Sequence, residues 1–254
     1  MFPEFLGVDV TFGVNKECRE LFLVAGIDGH KKTFTAFRCF MPSKQQAAYT
    51  WVMNIAVSHI LSNDTLTNNQ CISSDQELPL NMAITTSIDS QKKAFKYSKL
   101  RLDMYHFYRK AWNEKVVPKV KSGSVAKRFL KYLDRWISSW FKYVESKEEY
   151  ILSKLAFECY LKNNKKKIGS TCHDGIHTLM NKIDGKKKHL LHYYFKYTST
   201  FDFLGDSIVE AANNSIKKGP IKVTTQMDLS CSGFTQLKAT EAMSQKNTAT
   251  MQKT

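Results

Sequence analysis

Three acidic residues stand in local settings that suit metal-ion chemistry: Asp9, Asp75 and Glu210. Asp9 ends the apolar run 5–8, Asp75 follows the short run 71–74, and Glu210 lies in a segment whose pattern predicts a helix. An acid at the end of a buried strand is costly to bury without a partner. Carboxylate oxygens are the ligands that hard cations such as Mg²⁺ prefer, and paired ions cut and join nucleic acid by in-line displacement. If the fold brings the three acids together, they predict a two-metal site.

Each acid also has a plainer interpretation, as a helix cap or as a surface residue. Asp75 suits the N-cap of a following helix with Glu77 in its first turn, because negative charge there complements the helix dipole. Glu210 has two rivals close by in the sequence, Asp202 and Asp206. If three carboxylates do converge, their mutual repulsion favours capture of a cation.

Other polar side chains add weaker signals. His106, at the start of a predicted helix, suits either an approach to a scissile phosphate or a structural hydrogen bond. Asp103 beside it either adds a carboxylate or caps that helix. A further group of potential zinc ligands lies at 172–177. The spacing of these ligands is irregular, so a loop is a better interpretation of the segment than a zinc site. The members of the group are Cys172, His173, Asp174 and His177.

The net charge of +15 is unevenly distributed along the chain. Residues 1–90 carry 6 Lys or Arg and 9 Asp or Glu, whereas residues 91–254 carry 32 and 14. A basic surface beside an acidic metal site suits a polyanionic substrate such as nucleic acid. The lysines predicted to contact DNA, each of which also fits a solvated surface, are Lys165, Lys166, Lys167, Lys217 and Lys218.

Length and composition exclude several classes of protein. With 254 residues, 43% hydrophobic and 24% charged, the chain is predicted to be globular, with one large core or one domain carrying an insertion. No apolar run approaches the roughly 18 residues that span a bilayer, and the N-terminus lacks the pattern of a secretory signal. The six cysteines are scattered without a C-x-x-C pair, which predicts reduced, buried thiols rather than disulfides.

Hydrophobic patterning predicts the elements that must position the acids. Strands are expected at 4–10, 21–27 and 32–40, with a tight Asp-Gly turn after the second. The elements that follow are a helix after Ser43, a strand at 71–74, a helix with Pro79 in its first turn, a strand at 97–102 and a helix at 105–117. Three meander strands followed by alternating helices and strands predict a mixed α/β sheet.

Two helices have predicted inner faces. For the helix after Ser43, the residues at helical spacing are Ala47, Trp51, Ile55 and His59. For the helix that contains Pro79, they are Leu80, Ala83, Ile84 and Ile88. From residue 122 to 197 the pattern becomes almost entirely helical, with an aromatic stripe that predicts helix packing rather than nucleotide stacking. The tail at 239–254 is polar, and we expect it to be disordered.

Four stretches resemble the Mutator-like element (MULE) transposase domain, of the DDE transposase and ribonuclease-H-like superfamily. They are Phe5-Leu6-Gly7-Val8-Asp9-Val10-Thr11 with Asn15, Ile72-Ser73-Ser74-Asp75-Gln76-Glu77-Leu78-Pro79, Leu100-Arg101-Leu102-Asp103-Met104-Tyr105-His106, and Val209-Glu210-Ala211-Ala212-Asn213. The order of strands and helices, with an acid on the first strand and another just after the fourth, is similar too. Asp103 departs from the family pattern, which usually has Cys there.

The resemblance implies a ribonuclease-H-like sheet of five strands that is interrupted by an all-helical insertion. Residues 1–121 would form the first part of the core, 122–197 the insertion and 198–238 the return to the core with the third acid. Asp9, Asp75 and Glu210 would hold two Mg²⁺ or Mn²⁺ ions and, with His106, form the catalytic site. The predicted partners are transposon-end and target DNA in the nucleus, and further copies of the same chain.

Three functions from different classes fit the sequence. The leading hypothesis is a transposase catalytic core that cleaves and transfers DNA strands, without the zinc-dependent DNA-binding modules of full-length family members. The second is an inactive or domesticated DNA-binding protein that keeps this fold. The third is a cellular nuclease or structured-RNA enzyme on the same scaffold, and the helical insertion argues against it.

Overall fold

The computed structural model describes residues 2–28, 30, 32–88, 95–120, 123–198 and 200. The described chain divides into two compact units. The first, here called the sheet unit, runs to Leu100, and the second, the helical unit, runs from Arg101 to Gly205. Within the described ranges no helix combines the length and hydropathy needed to cross a bilayer.

Five strands form one sheet. They are β1 (Phe2–Thr11), β2 (Glu20–Ile27), β3 (Thr33–Met41), β4 (Cys71–Ser74) and β5 (Lys99–Leu102). Their order across the sheet is β3-β2-β1-β4-β5. The pairs β1–β2 and β2–β3 are antiparallel, and β1–β4 is parallel. This confirms the predicted mixed sheet, because the three hairpin-linked strands are antiparallel and the helical crossover to β4 permits a parallel pair.

Short polar side chains fix the two connections between the first three strands. Asn15, fully buried after β1, accepts a hydrogen bond from Arg19 N at 2.9 Å through Oδ1. Asp28 Oδ1, after β2, accepts from His30 N at 2.9 Å and from Lys32 N at 2.8 Å. Each side chain satisfies backbone N–H groups that the turn leaves without strand partners, which is why Asx residues favour such positions.

Helices pack on the sheet through one large apolar cluster. They are α1 (Gln46–Trp51), a π-helical segment (Val52–Ala56), α2 (Val57–Ile60), α3 (Asn63–Asn68) and α4 (Leu78–Ile88). The cluster joins Leu6 and Val8 of β1 to Ile72 of β4, and it includes Val52 and Ile84 from the helices. The inner face of α4 is as predicted, with Leu80, Ala83 and Ile84 buried and Ile88 partly buried.

The predicted inner face of the helix after Ser43 is wrong. Trp51 and Ile55 are 57% and 45% exposed, and Ala47 and His59 are exposed as well. The buried positions are Tyr49, Val52, Met53 and Val57. This segment carries two apolar stripes at helical spacing, so periodicity alone does not identify the inner one.

The start of this helix also differs from the prediction. It begins at Gln46, and its N-cap, Gln45, makes no side-chain capping bond. Ser43 lies three residues earlier, and its Oγ accepts from Gln45 N at 3.4 Å. Packing of Tyr49 against the sheet therefore outweighs the preference for serine at the N-cap.

The helical unit contains long helices and several short turns. Its helix after β5 includes π-helical segments at Tyr105–Arg109 and Trp112–Val116 and ends in a 3₁₀ turn, Val117–Lys119. The elements beyond are α5 (Ser124–Lys142), α6 (Lys147–Asn163), α7 (Lys165–Ile168), α8 (Ser170–Gly185), a 3₁₀ turn (Lys187–His189) and α9 (His192–Phe195). This confirms that the chain becomes helical after about residue 122.

Aromatic side chains form the core of the helical unit. Trp140 is fully buried, and its ring meets those of Tyr150 and Phe157 edge-on at 5.4 Å. The Ser153 hydroxyl accepts from the indole N–H groups of Trp136 and Trp140, each at 2.9 Å. The predicted role of the aromatic stripe in helix packing is therefore confirmed. Three of its members are nevertheless exposed, namely Val125, Tyr132 and Tyr143.

The described cysteines are free thiols, as predicted. Cys71 and Cys172 are buried, Cys39 is partly buried, and Cys18 and Cys159 are exposed. Burial raises the pKa of the Cys39 thiol to about 11.

Candidate active site

Strand register brings two of the three predicted acids to the same level of the sheet. β1 and β4 are parallel neighbours, and Val8 pairs with Ser74. Asp9 is the next residue on β1, and Asp75 directly follows the last residue of β4, a strand about 4.8 Å from β1. Both side chains are partly exposed. The register therefore places the two residues next to each other in the backbone, and where two carboxylates lie close together the electrostatic cost of holding both ionised falls when a cation is bound.

Two polar side chains hold the backbone at Asp75. Asn81 Nδ2 donates to Asp75 O at 2.9 Å, and Asn81 Oδ1 accepts from Ser74 Oγ at 2.5 Å. Ser74 Oγ also lies 3.0 Å from Asp75 O. These bonds tie the end of β4 to α4, so the direction in which Asp75 leaves the strand is fixed by the helix.

The interpretation of Asp75 as a helix cap is wrong. Helix α4 begins at Leu78, and Glu77 O accepts the bond from Asn81 N that starts the helix. Asp75 lies three residues before Leu78, and its Oδ1 accepts from the neighbouring Gln76 N. The carboxylate of Asp75 thus lies outside the first turn, at the end of the strand.

Further acids surround a buried tyrosine close to Asp9. Tyr49 donates through its hydroxyl to Glu77 Oε1 at 2.7 Å. Burial raises the pKa of Tyr49 above its usual range, and the hydrogen bond to Glu77 raises this pKa further. The charges of Glu20 and Asp9 act in the same direction, so both lie near this hydroxyl. Lys44 Nζ, 3.7 Å from Glu20 and 3.8 Å from Glu77, balances part of the negative charge.

Asp103 and His106 belong to the helical unit. Asp103 Oδ1 accepts from His106 N at 2.7 Å, and Asp103 O accepts from Phe107 N at 2.9 Å. Asp103 is therefore the N-cap of the helix after β5, and it is 1% exposed. The capping alternative predicted for Asp103 is confirmed. His106 is partly exposed, and its ring meets that of Tyr105 edge-on at 5.5 Å.

The run of asparagine and lysine at 163–167 predicts an exposed loop, but the three lysines at 165–167, although exposed, form the first residues of α7. Burial of Ile168 anchors this turn, and Gly169, at φ 92°, ends it. Lys167 Nζ lies 5.7 Å from the centre of the Phe129 ring. Glu210, Lys217 and Lys218 lie outside the described residues, as do Asp202 and Asp206.

The segment considered for zinc is helical, so the predicted loop is wrong here too. Cys172, His173, Asp174 and His177 all lie in α8. Cys172 is fully buried with Sγ 3.7 Å from Val116 O, whereas His173 Nδ1 lies 3.1 Å from Asp174 Oδ1. The buried thiol therefore lies apart from the exposed Asp174, and among the described residues these side chains form no group of three arranged to hold a metal ion.

Carboxylates suit a hard cation, and the donor set at Asp9 and Asp75 fits Mg²⁺ or Mn²⁺ in its chemistry. Among the described residues, no group of three or more His, Cys, Asp or Glu side chains is arranged to hold a metal ion. The described residues therefore contribute two carboxylates at this point of the sheet, those of Asp9 and Asp75.

Sequence reasoning missed the residues that support this pair. Asn81 and Ser74 fix the Asp75 backbone, while Tyr49 and Lys44 engage the neighbouring Glu77. The spacing from Ser74 to Asn81 is a usable signal, because an amide one turn into a helix can reach back to the preceding strand end. Tyr49 carries no such signal, since its partner is 28 residues away.

Comparison with protein families gives one match. Residues 5–110 match the family model of the MULE transposase domain, which supports a relationship to MULE transposases. The matched range contains Asp9, Asp75, Asp103 and His106. No curated protein matches the chain.

Proposed function

We propose that this chain is the catalytic core of a DDE-type, MULE-like transposase, which cleaves and transfers DNA strands with the help of divalent metal ions. The observation that carries the proposal is the β1–β4 register, which sets Asp9 and Asp75 side by side. The family match over residues 5–110 supports a transposase relationship independently of this geometry.

Asp9, Asp75 and Glu210 are the proposed ligands. When bound, two Mg²⁺ or Mn²⁺ ions would activate water or a 3′-hydroxyl and stabilise the leaving oxygen at the scissile phosphate. The two aspartates would hold negative oxygens in fixed positions, and the bonds from Asn81 and Ser74 would keep Asp75 in place. Such preorganisation matters because metal-assisted phosphoryl transfer depends on positioning and electrostatics.

The sheet supports a ribonuclease-H-like fold. Its order, β3-β2-β1-β4-β5, with three antiparallel strands and β4 parallel to β1, is the arrangement that the resemblance implies. In this proposal the helices after residue 122 are an insertion between β5 and the segment that carries Glu210. His106 is then an auxiliary catalytic residue, held by the helix that Asp103 caps.

A second candidate function is a DNA-binding protein that keeps the fold without the chemistry. The charge of the helical unit favours it, because residues 101–205 carry 22 Lys or Arg against 10 Asp or Glu. Under both candidates the partner is DNA and the expected compartment is the nucleus. Transposition also favours a homo-oligomer, since two transposon ends must be held together.

Metal binding tests the proposed site. Titration of the full chain with Mn²⁺ by calorimetry is expected to show binding that Asp9→Asn and Asp75→Asn each weaken at least about tenfold, because each removes an anionic ligand. Asp64→Asn is the matched control, since it removes one exposed carboxylate from α3. Equal Mn²⁺ binding by wild type and both site variants would refute the site.

A second comparison identifies the third ligand. Glu210→Ala is expected to weaken Mn²⁺ binding, whereas Asp206→Ala and Asp202→Ala are expected to leave it unchanged. Weakening by Asp206→Ala alone would move the third ligand to that residue and leave the aspartate pair in place.

A further inference from the structure

A basic groove lies within the helical unit, between the helix that follows β5 and α8. Three lysines line it, Lys115 and Lys119 from the first helix and Lys182 from α8. Its floor is apolar and includes Val116 and Leu179, and it encloses about 90 Å³. The groove is therefore a concave surface that combines an apolar base with converging positive charge.

The local backbone brings the lysines to one groove. Lys115 lies in the π-helical segment and Lys119 in the 3₁₀ turn that follows it, and both line the groove. Gly175 and Lys182 are two turns apart on α8 and share the face that lines the groove.

Gly175 allows the two helices to approach closely. A Cβ at this position would lie 3.3 Å from Lys115 O, tighter than ordinary van der Waals contact. Cys172, one turn earlier on α8, packs with its Sγ 3.7 Å from Val116 O. These contacts set the width of the groove at its base.

The charge of the groove has no acidic counterpart in its lining. All three lysines are exposed, and the described lining residues include no Asp or Glu. Glu114 is adjacent to Lys115 in the sequence and Asp174 is adjacent to Gly175, but neither lines the groove, and Asp174 Oδ1 lies 3.1 Å from His173 Nδ1. Lys119 is close enough to the buried Cys172 thiol to oppose the rise in its pKa that burial causes. Three like charges held together repel one another, and a bound anion relieves that repulsion.

We propose that this groove, formed by Lys115, Lys119 and Lys182, binds successive phosphates of a DNA backbone. Lysine ammonium groups are compact point charges that bind phosphate without reading bases. Three lysines along one groove suit a ligand with repeated charges along a strand better than a single small anion. The inference rests on the proposed DNA partner, and it adds a contact site in the helical unit that is separate from the metal-binding acids.

DNA binding without metal tests the groove alone. Fluorescence anisotropy would follow the full chain and a labelled duplex of arbitrary sequence in EDTA, over a series of KCl concentrations. The triple variant Lys115→Gln, Lys119→Gln and Lys182→Gln is compared with a control that removes three exposed lysines from α5 and α6, Lys127→Gln, Lys131→Gln and Lys147→Gln.

The groove variant is expected to raise Kd about 10- to 100-fold at moderate salt and to lower the slope of log Kd against log salt by about 2 to 3, because each lost phosphate contact removes about 0.9. The control is expected to change the slope by less than about 1. Replacement of the three groove lysines by arginine should restore binding. Equal effects of groove and control variants would overturn the proposal, since general charge would then explain them.

Two further arms identify the ligand and separate this inference from the metal site. Inorganic phosphate should displace the duplex no better than KCl of the same ionic strength. If phosphate displaces the duplex far more than KCl does, the groove is a site for the free anion and the DNA assignment is overturned. Because EDTA removes divalent ions, the groove effect is measured independently of the metal site, and Asp64→Asn should bind the duplex in EDTA like wild type. If the site variants bind Mn²⁺ like wild type while the groove variant still weakens DNA binding in EDTA, the proposed catalysis is therefore refuted and the groove proposal is not.

Discussion

The sheet unit and the helical unit carry charge in different ways. Residues 1–100 contain 10 Lys or Arg and 9 Asp or Glu, whereas residues 101–205 contain 22 and 10. In the sheet unit, strand register places acids side by side, as at Asp9 and Asp75. In the helical unit, the helix after β5 presents exposed lysines to one groove, as at Lys115 and Lys119. A near-neutral unit can thus hold a locally negative site, while a strongly basic one presents its charge broadly.

The two units also fix their side chains differently. Asp75 is held through its backbone, by Asn81 and Ser74, at the end of a short strand. The helical unit is held through its apolar interior, where Trp140 packs against Phe157 and Tyr150. This difference predicts that truncation of an aromatic side chain costs stability, whereas a change at the acids costs function.

The largest stability effect is expected in the aromatic core of the helical unit. Trp140→Ala should lower the free energy of unfolding by about 3–5 kcal/mol, because it removes a fully buried indole and leaves a cavity. Denaturant titration measures the loss, and hydrogen exchange should show reduced protection in α5 and α6. Val125→Ala, at a side chain that is 66% exposed, is the control and should cost less than about 0.5 kcal/mol. If both variants lowered the free energy of unfolding by a similar amount, the helical unit would not depend on its aromatic interior as described.

A similar contrast within the sheet unit tests which face of α1 and the π-helical segment is buried. Met53→Ala should cost about 2–5 kcal/mol, because Met53 is 1% exposed. Trp51→Ala should cost less than about 0.5 kcal/mol, because its side chain is 57% exposed. Chemical denaturation of both variants measures the difference. If Trp51→Ala cost more stability than Met53→Ala, the buried face would instead be the one that contains Trp51, as helical periodicity predicts.

The smallest effect is a change of stability with pH. The pKa of Cys39 is raised by burial to about 11, so the folded state keeps its proton where the unfolded state loses it. Stability is therefore expected to fall as pH rises from about 9 to 11, by about 1 kcal/mol after allowance for solvent screening at this partly exposed thiol. Cys39→Ala should remove this part of the alkaline loss. An unchanged pH profile in the variant would contradict the assignment.

Much of the sheet could be predicted from the sequence because its signals are local. The bounds of β4 at Cys71–Ser74 are as predicted, since a short apolar run ends there at an acid. The helical character of Ser124–Lys142 follows from the spacing of its apolar and aromatic residues. The neighbouring positions of Asp9 and Asp75 depend on the pairing of β1 with β4, which the resemblance to MULE transposases implies and the local pattern does not.

The remaining features depend on tertiary contacts. Tyr49 rather than Trp51 faces the core because the sheet selects one of two apolar stripes, and the π-helical turn at Val52–Ala56 shifts their phase. The turn of helix at Lys165–Ile168 depends on burial of Ile168, which overrides the loop tendency of a run of like charges. Tyr49 bonds to Glu77 across 28 residues of sequence, a contact that no local pattern contains.

DNA strand cleavage tests the central claim most directly, namely that Asp9 and Asp75 form a metal-dependent phosphoryl-transfer site. The full chain would be incubated with labelled duplex DNA and Mn²⁺, and nicked or joined products resolved on denaturing gels. Wild type and Asp64→Asn should act at similar rates, while Asp9→Asn and Asp75→Asn should each be at least about 100-fold slower, because either loss removes charge neutralisation at the transition state. Unchanged cleavage by Asp75→Asn, or no cleavage by wild type, would contradict the account.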